Sequence, residues 1–363
     1  MKPLLPLPKH ELLAAHLREG VTEGRWTGKL PGVRSLAREL MVSHHTVRRA
    51  LELLEADGLL GAREVGRSRG ITAAGHAAAL RRPLRVGVLR HDARYTDDLQ
   101  SNLPLIEMLH QIEAQGHIAF SFKQSQIELR HDLPRLIRQL TKTPADAWII
   151  AAGSRELLEW CSTQETPCLA LSGRTGGLGL ARTGPDKEPA YRAATRHLLA
   201  LGHRRIVLIV RETRRKPTPG ACERAFLEEL AAHGVPTGAY HLPDWEETPA
   251  GFSRLLRSLF QNTPPTALIV DETARYFAAA DFLARQRIHV PEKVSLVSTD
   301  CDSVISWCQP GIAHIKWDDT PMVRRVVRWV AAVAKGKADR KTISYPAVFV
   351  PGGSIGPAPA GGG

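Results

Sequence analysis

The sequence predicts an α/β fold in which a small domain of short helices precedes a long domain built on a doubly wound parallel sheet. Three observations lead to this prediction. The first 72 residues hold short amphipathic helical patterns followed by a basic, glycine-punctuated stretch. From Leu84 onward, short apolar runs alternate with amphipathic helical patterns. Positive charge is concentrated at the N-terminal end of the chain.

The charge distribution separates the two regions. Of the 363 residues, the first 82 contain 14 Lys and Arg against 8 Asp and Glu, and the other 281 contain 35 against 29. Each segment therefore carries a formal charge of +6, which is much denser in the shorter one. This asymmetry favours an anionic partner, such as nucleic acid, for the N-terminal domain.

Two helical patterns, at 33–40 and 43–56, are separated only by the short link "MVS". In each pattern the apolar residues recur at the spacing of a single helix face. The first pattern buries Val33, Leu36, Ala37 and Leu40, and the second buries Val47, Ala50, Leu51 and Leu54. Ser43 precedes the second pattern, where its hydroxyl can cap the helix. The pair predicts a helix-turn-helix.

The polar side of the second helix is basic. With the apolar stripe turned inward, His45, Arg48 and Arg49 must face outward, with His44 at the edge of that face. In a helix-turn-helix, the first turns of the second helix meet base edges in the major groove of DNA. The sequence therefore predicts a DNA-reading surface at these residues.

A strand, a basic turn and a second strand are predicted within "GLLGAREVGRSRGIT", residues 58–72. Gly66 and Gly70 bracket Arg67 and Arg69, so the turn can approach a phosphate backbone closely. We call this predicted hairpin the wing. An arginine in it can contact phosphate or enter a narrow minor groove.

The stretch "LPGVRSLARELMVSHHTVRRALELLEADGLL", together with "GRSRG", closely resembles the GntR-type winged helix-turn-helix. The resemblance implies DNA contacts by Arg34, Ser43, His44, Thr46, Arg48 and Gly66. The geometry above adds His45, Arg49, Arg67 and Arg69. Both variable positions of the motif are histidine here, so the operator sequence cannot be copied from other members. Because histidine is only fractionally charged near neutral pH, we expect DNA affinity to depend on pH.

Seven apolar runs in the second region predict parallel strands covered by helices on both faces. The runs lie at residues 84–89, 117–122, 146–151, 168–172, 205–210, 266–271 and 294–300. The domain boundaries follow from these patterns: a DNA-binding domain over residues 1–72, a linker over 73–83, a sheet domain over 84–352 and a disordered tail over 353–363.

Several motifs in the sheet domain resemble the effector-binding domain of LacI/GalR-type regulators, which is related to periplasmic sugar-binding proteins. They are the "LGHRRI" that ends a helix, the "PTA" that opens a strand, the "VPEKVS" turn and the proline-led return "CQPGIAHIKWDD". The resemblance implies two lobes with a ligand, a sugar or sugar derivative, bound between them. It is most specific in the second half of the domain.

In open α/β sheets, ligands bind at the carboxyl ends of the strands. We therefore expect the effector site to include the residues that follow the predicted strands. These are Arg90, His91, Asp92, Ser154, Arg174, Asp271, Glu272 and Asp300, with Trp317 as an aromatic platform for a sugar ring. The resemblance implies that the Asp300 carboxylate accepts hydrogen bonds from sugar hydroxyls.

The effector site departs from the family pattern in three motifs. Cys301 replaces the second Asp of a family pair, and the usual Asn-Asp falls on Glu272 and Thr273. Where the family carries a ligand-gripping Arg, this chain has Gly220 and Cys222. These changes leave open an alternative in which the domain is a degenerate, ligand-free dimerisation module.

No catalytic, cofactor or metal motif stands out in the sequence. We find no nucleophile elbow, P-loop, dinucleotide fingerprint or metal-ligand spacing, and the glycine-rich "GRTGGLG" reads as a surface loop. Five cysteines without a framework, no signal peptide and no apolar span favour a cytoplasmic protein. The sequence thus predicts a homodimeric, non-enzymatic transcription regulator that binds double-stranded DNA and needs no cofactor, with no membrane partner. We expect a repressor that its effector releases, although corepression is compatible.

Overall fold

The structure, a computed structural model, describes residues 8–22, 26, 28–61, 69–72, 83–91, 103–337 and 339–359. The chain forms two compact units, the first built from residues up to Leu84 and the second beginning at Arg85. The first unit is helical, and the second is a mixed α/β domain built around parallel strands. This is the fold class that the sequence predicts.

Over its described residues, the N-terminal unit holds three helices, α1 (Lys9–Thr22), α2 (Val33–Glu39) and α3 (His44–Ala56). The apolar stripe of α3 is buried against the other two helices, as predicted. Ser43 caps α3, because its Oγ accepts a hydrogen bond from the Thr46 backbone N–H at 3.1 Å. Antiparallel bridges pair Leu60 with Ile71, as a wing requires, and Lys29 with Gly70. The helix-turn-helix and the base of the wing therefore form as the sequence indicates.

Five parallel strands form the first lobe of the second unit, in the order β2-β1-β3-β4-β5. They are β1 (Arg85–Leu89), β2 (Ile118–Ser121), β3 (Ala147–Ala151), β4 (Cys168–Leu171) and β5 (Ala181–Asp186). The helices of this half are α4 (Leu103–Ala114), α5 (Leu133–Lys142) and α6 (Arg155–Ser162). The first four strands fall within predicted apolar runs. Strand β5 was not predicted.

The second lobe continues the same order through β9, β8, β7 and β6. Its strands are β6 (Ile206–Ile209), β7 (Ala267–Val270), β8 (Ser295–Ser298) and β9 (Ala313–Trp317). Its helices are α7 (Glu188–Ala200), the single turn α8 (Glu212–Arg215), α9 (Ala221–Ala232), α10 (Pro249–Asn262), α11 (Thr273–Arg285) and a 3₁₀ helix (Ser303–Trp307). One apolar cluster packs α7 and α9 on the sheet, and another packs α10 and α11. The sheet is covered on both faces, as the continuous apolar runs predict.

Strand β10 (Thr342–Val350) joins the two lobes. Its first half pairs in parallel with β5, from Thr342 opposite Arg182 to Pro346 opposite Asp186. Its second half pairs antiparallel with β9. Helix α12 (Thr320–Val333), which follows β9, packs on α4 and β5 of the first lobe. Three segments thus pass between the lobes: the β5–α7 connection, the β9–α12 connection and β10.

The expectation of a disordered tail is wrong for residues 353–359. Ser354 is buried, and its Oγ accepts from the Ala313 N–H at 2.9 Å and donates to the Leu296 carbonyl at 2.7 Å. The Gly356 carbonyl lies 3.0 Å from Nε2 of the buried His203. The low-complexity composition predicts disorder. In the structure, however, this segment forms hydrogen bonds with buried polar groups of the second lobe, which would otherwise lack partners. Residues 360–363 lie outside the described part of the chain.

We expect Ser354→Ala to lower the free energy of unfolding by about 1–2 kcal/mol. The substitution leaves the Ala313 N–H and the Leu296 carbonyl without their buried partner. Urea denaturation of the full chain measures this loss. Ser306→Ala, on the 3₁₀ helix, is the control, because Ser306 is exposed. Equal stability of the Ser354 variant and the unchanged chain would show that the tail does not support the fold.

Candidate functional site

Four basic side chains share the exposed side of α3. His44, His45, Arg48 and Arg49 are exposed, and Thr46 is half-buried. Arg34 and Arg38 are exposed on α2. The Thr46 hydroxyl lies 2.8 Å from Ser43 Oγ, so these two predicted contact residues also fix the first turn of the helix. The arginines and imidazoles thus lie at the N-terminal end of α3. In a helix-turn-helix, this end of the second helix contacts the bases.

The predicted contacts in the wing divide into two groups. Gly66 and Arg67 lie outside the described residues. The Arg69 guanidinium pairs with the Glu55 carboxylate, and its side chain is only 8% exposed. Arg69 therefore ties the base of the hairpin to α3 and is not presented as a free cation.

A cavity of about 300 Å³ lies between the two lobes of the second unit. One wall comes from loops that follow β3 and β4, and the other from the segment after β6 and the start of α9. Gly173 in the first wall has φ +90°, and a Cβ there would lie 2.9 Å from the Gly153 carbonyl oxygen. Glycine thus lets two loops meet closely at the cavity.

Basic side chains dominate the cavity lining. They are Arg174, Arg182, Lys187, Arg211 and Arg214, and the acidic lining residue is Glu223. Of the eight predicted effector-binding residues that the structure describes, Arg174 is the one that lines this cavity. Trp317 lines a separate groove, beside α4 and α12. Asp92 lies outside the described residues.

Asp271 is fully buried behind the cavity wall among three arginines. Its Oδ2 lies 3.0 Å from Arg211 Nε, its Oδ1 lies 2.9 Å from Arg214 Nη1, and Arg275 Nη1 is 3.9 Å away. Thr299 Oγ1 donates to Oδ1 at 3.2 Å. Burial by itself would raise the pKa of Asp271, but the arginines outweigh it and hold that pKa well below its ordinary value. Asp271 serves here as the counter-ion of the cavity's own arginines.

Glu272 and Asp300 extend this network. Glu272 lies 3.3 Å from both Arg211 and Arg275, and burial raises the pKa of its carboxyl. Asp300 Oδ1 pairs with Lys187 Nζ at 2.6 Å, and its Oδ2 accepts from the Glu272 N–H at 3.0 Å. Lys187 Nζ also lies 3.9 Å from the centre of the Trp317 ring. Both Asp300 oxygens thus already hold protein donors.

His91 marks a second polar region of the first lobe, near the end of β1. Its side chain is buried at 9% exposure, and its ring lies 5.3 Å from that of His131. Neither ring nitrogen has a hydrogen-bond partner within the described part of the chain. Burial, reinforced by the charge of Arg211 from the second lobe, lowers the pKa of His91 to about 2. The imidazole is therefore neutral at physiological pH.

The remaining predicted residues have structural roles. Ser154 caps α6, since its Oγ accepts from the Leu157 N–H at 3.3 Å. The Arg90 carbonyl accepts from the Gln126 N–H at 3.0 Å, which holds the loop after β2 against β1. Neither residue lines the cavity.

Sequence reasoning missed Arg211 and Arg214, two cations of the cavity wall. Arg211 directly follows the apolar run at 205–210, so the rule used at the other strands would have named it. Arg182 is the second residue of β5 and Lys187 directly follows that strand, which was not recognised. Over the residues described, no cluster of three possible ligands could hold a metal ion. Nor does that part of the chain contain a helix long and apolar enough to cross a membrane.

Two family models match parts of the chain. Residues 9–69 match the family described as "Bacterial regulatory proteins, gntR family", and residues 195–355 match "Periplasmic binding protein-like domain". A sequence search among curated proteins finds no match.

Solved structures share the fold at low sequence identity. The complex of the transcriptional regulator CelR with cellobiose aligns with a TM-score of 0.62 and 18% identity, covering 90% of this chain and 100% of that one. A LacI family regulator from Enterococcus faecium with bound ribose has a TM-score of 0.59 and 17% identity, covering 75% and 99%. A LacI family regulator from Mycobacterium smegmatis has 0.61 and 16%, covering 75% and 99%. The arrangement of strands and lobes is therefore LacI-like.

Proposed function

We propose that the chain is a transcriptional regulator in which a gntR-type DNA-binding domain is joined to a periplasmic binding protein-like domain, and that a small ligand controls its binding to DNA. The ligand is a sugar or sugar derivative, and its site is the cavity between the lobes. The regulator is a cytoplasmic repressor that binds an operator in double-stranded DNA. The observation that carries this proposal is the cavity of about 300 Å³ at the carboxyl ends of β3, β4 and β6.

The position of the cavity supports ligand control. Ligands of open α/β sheets bind at the carboxyl ends of strands, and 300 Å³ is at the small end of the usual range for ligand pockets. Cellobiose and ribose are bound by two of the regulators with this fold. A ligand of monosaccharide size fits this volume.

Contacts across the cavity suggest how a ligand can act. Arg174, from the loop after β4 in the first lobe, donates through Nη2 to the Arg214 carbonyl of the second lobe at 2.6 Å, and also to the Thr218 carbonyl. A ligand held by both walls adds to such contacts and favours the closed arrangement of the lobes. If the arrangement of the lobes alters the affinity for DNA, a ligand that favours one arrangement also changes that affinity. By thermodynamic linkage, DNA binding then changes the affinity for the ligand by the same factor.

We further propose that the working form is a homodimer. A two-fold symmetric dimer matches the two half-sites of a pseudo-palindromic operator. The 3₁₀ helix of the second lobe offers apolar surface for such an interface, because Trp307 is 86% exposed and Val304 is 42% exposed. Large exposed apolar groups of this kind are typical of protein–protein contacts.

We expect Arg48→Ala to cost about 1–3 kcal/mol of discrimination at one base position in each half-site, because a bidentate contact from arginine to guanine is lost. Duplexes selected by the full chain from a random library provide the operator, and titration of single-base variants measures the preference. The same titration gives the number of chains bound per operator, which should be two.

Arg285→Ala is the matched control for this experiment. Arg285 is an exposed arginine on α11 of the second unit, paired with Asp281 on the same helix. Its removal should leave base preference unchanged. If Arg48→Ala retains the affinity and base preference of the unchanged chain, the exposed side of α3 is not the reading surface.

A further inference from the structure

The charges around the cavity do not cancel. Arg211 is neutralised by Asp271 and Glu272, Arg214 by Asp271 and Glu223, and Lys187 by Asp300. Two lining arginines remain, and within the described part of the chain neither has a carboxylate partner. These are Arg174 and Arg182.

The two remaining arginines are held by neutral groups. Arg174 donates to the carbonyls of Arg214 and Thr218, and its buried Nε has no partner among the residues described. Arg182 Nη1 donates to Ser344 Oγ at 3.0 Å. Burial lowers the pKa of Arg174 and outweighs the opposing effect of the more distant Glu223 and Glu156 carboxylates. An anion between these guanidiniums would supply the missing counter-charge.

The start of α9 adds to the positive potential. Gly220, Ala221 and Cys222 line the cavity, and the N-cap Gly220 provides no side-chain acceptor to the first turn. The N-terminus of a 12-residue helix carries a partial positive charge and free backbone N–H groups, which favour anions. Glu223, which lies in that first turn, is the one acidic group of the lining, and Arg214 Nε neutralises it at 2.7 Å.

A neutral sugar matches this wall poorly. Arginine and lysine side chains offer only donors, whereas sugar hydroxyls also need acceptors. The nearby carboxylates already have cationic partners. Asp271 pairs with Arg211 and Arg214, Asp300 pairs with Lys187, and Oε1 of the lining residue Glu223 pairs with Arg214. Phosphate and carboxylate groups are rich in acceptors, and the planar guanidinium binds them through paired hydrogen bonds.

We propose that the effector is an anionic sugar derivative of monosaccharide size, whose phosphate or carboxylate lies between Arg174, Arg182 and the N-terminus of α9. This inference rests on the proposed function, because it names the chemical class of the ligand in the same cavity. The shared chemistry is an oxyanion attached to a polyhydroxylated ring. A sugar phosphate and a sugar acid both provide it, and the experiment separates them.

Binding to the full chain is measured by calorimetry and thermal shift with inorganic phosphate, glucose 6-phosphate, galacturonate, glucose and ribose. Ionic strength is matched with chloride, since excluded anions such as phosphate stabilise proteins in general. The informative quantity is therefore the difference between the unchanged chain and Arg174→Gln, Arg182→Gln and their double variant. Within the described part of the chain, the Arg182 side chain makes one hydrogen bond, to Ser344, so we expect Arg182→Gln alone to retain the fold.

We expect inorganic phosphate and one of the two anionic sugars to bind, and the double variant to lose about tenfold or more in affinity. Arg285→Gln, a surface change on α11, should bind like the unchanged chain. Whichever of glucose 6-phosphate and galacturonate binds more tightly identifies the kind of anion. Phosphate stabilisation that persists in the double variant but disappears in Arg48→Ala would assign the anion to the DNA-binding surface and overturn the inference.

Two further outcomes are distinguishable. If glucose or ribose binds at least as tightly as the anionic sugars, the inference is wrong and the proposed function stands. If none of the five compounds binds and the chain still binds duplex DNA, both the inference and the ligand-controlled function fail. The second lobe would then belong to a dimerisation module that binds no effector.

Discussion

Replacing Asp271 with asparagine should lower the free energy of unfolding by about 3–5 kcal/mol, the usual cost of removing one partner from a buried ionic network. Asp271 is fully buried and lies about 3 Å from Arg211 and Arg214. Asparagine keeps the shape but removes the charge. Two guanidiniums then remain in a buried position with only Glu272 and Glu223 to compensate them.

Denaturant unfolding at pH 7 measures this loss. Asp281→Asn on α11 is the matched control, since Asp281 pairs with Arg285 at 2.7 Å and both side chains are more than 60% exposed. Exposed pairs of this spacing contribute about 0.3–0.5 kcal/mol. Equal losses in the two variants would mean that Asp271 does not hold the arginines of the cavity wall.

Replacing His91 with phenylalanine should make the protein less sensitive to acid. Since the folded pKa of His91 is about 2, the folded state binds fewer protons than the unfolded state below pH 6.5. Stability is therefore complete above about pH 6.5 and falls as the pH drops, by about 1.4 kcal/mol per unit for one such group. Between pH 7 and pH 4.5, the unchanged chain should lose about 2–3 kcal/mol more than His91→Phe.

Several groups near His91 shape this response. Arg211 and Arg275 of the second lobe disfavour its protonation, as does His131, while Asp271 favours it. Burial also lowers the pKa values of the half-buried His131 and the buried His203, so a residual slope should remain in the variant. His110→Phe on α4 is the control, because His110 is exposed, and its stability profile should follow that of the unchanged chain. Parallel profiles for His91→Phe and the unchanged chain would contradict the prediction.

Much of the fold could be predicted because its signals are local. The apolar stripe of α3, the Ser43 cap and all seven apolar strands depend on periodicity or on short-range hydrogen bonds. Strands β5 and β10 were not recognised, because β5 contains Gly184 and Pro185 and β10 contains Pro346. These two segments are strands because they pair with each other over a long distance in the sequence, and no local sequence pattern predicts such pairing.

The candidate effector site was predictable in location but not in composition. Proximity to strand ends is a topological rule, and it led to Arg174, Asp271 and Asp300. Which of these residues faces the cavity depends on ion pairs between distant segments. Asp271 is turned toward Arg211 and Arg214, which are 60 and 57 positions away in the chain, respectively. The sequence therefore suggested acidic residues for the site, whereas the structure surrounds the cavity with arginines.

The pairing of β10 with both β5 and β9 has a consequence for biosynthesis. Neither half of the sheet has its full complement of strands until residues 342–350 have left the ribosome. The first lobe also lacks part of its packing until α12 has been synthesised, and the second lobe lacks a buried hydrogen-bond partner until Ser354 has been synthesised. The helix-turn-helix unit, in contrast, has all its core residues within the first 72 positions. During translation, the nascent chain can therefore fold its N-terminal unit long before the rest, and a prematurely terminated product would retain a folded N-terminal unit attached to an unfinished second one.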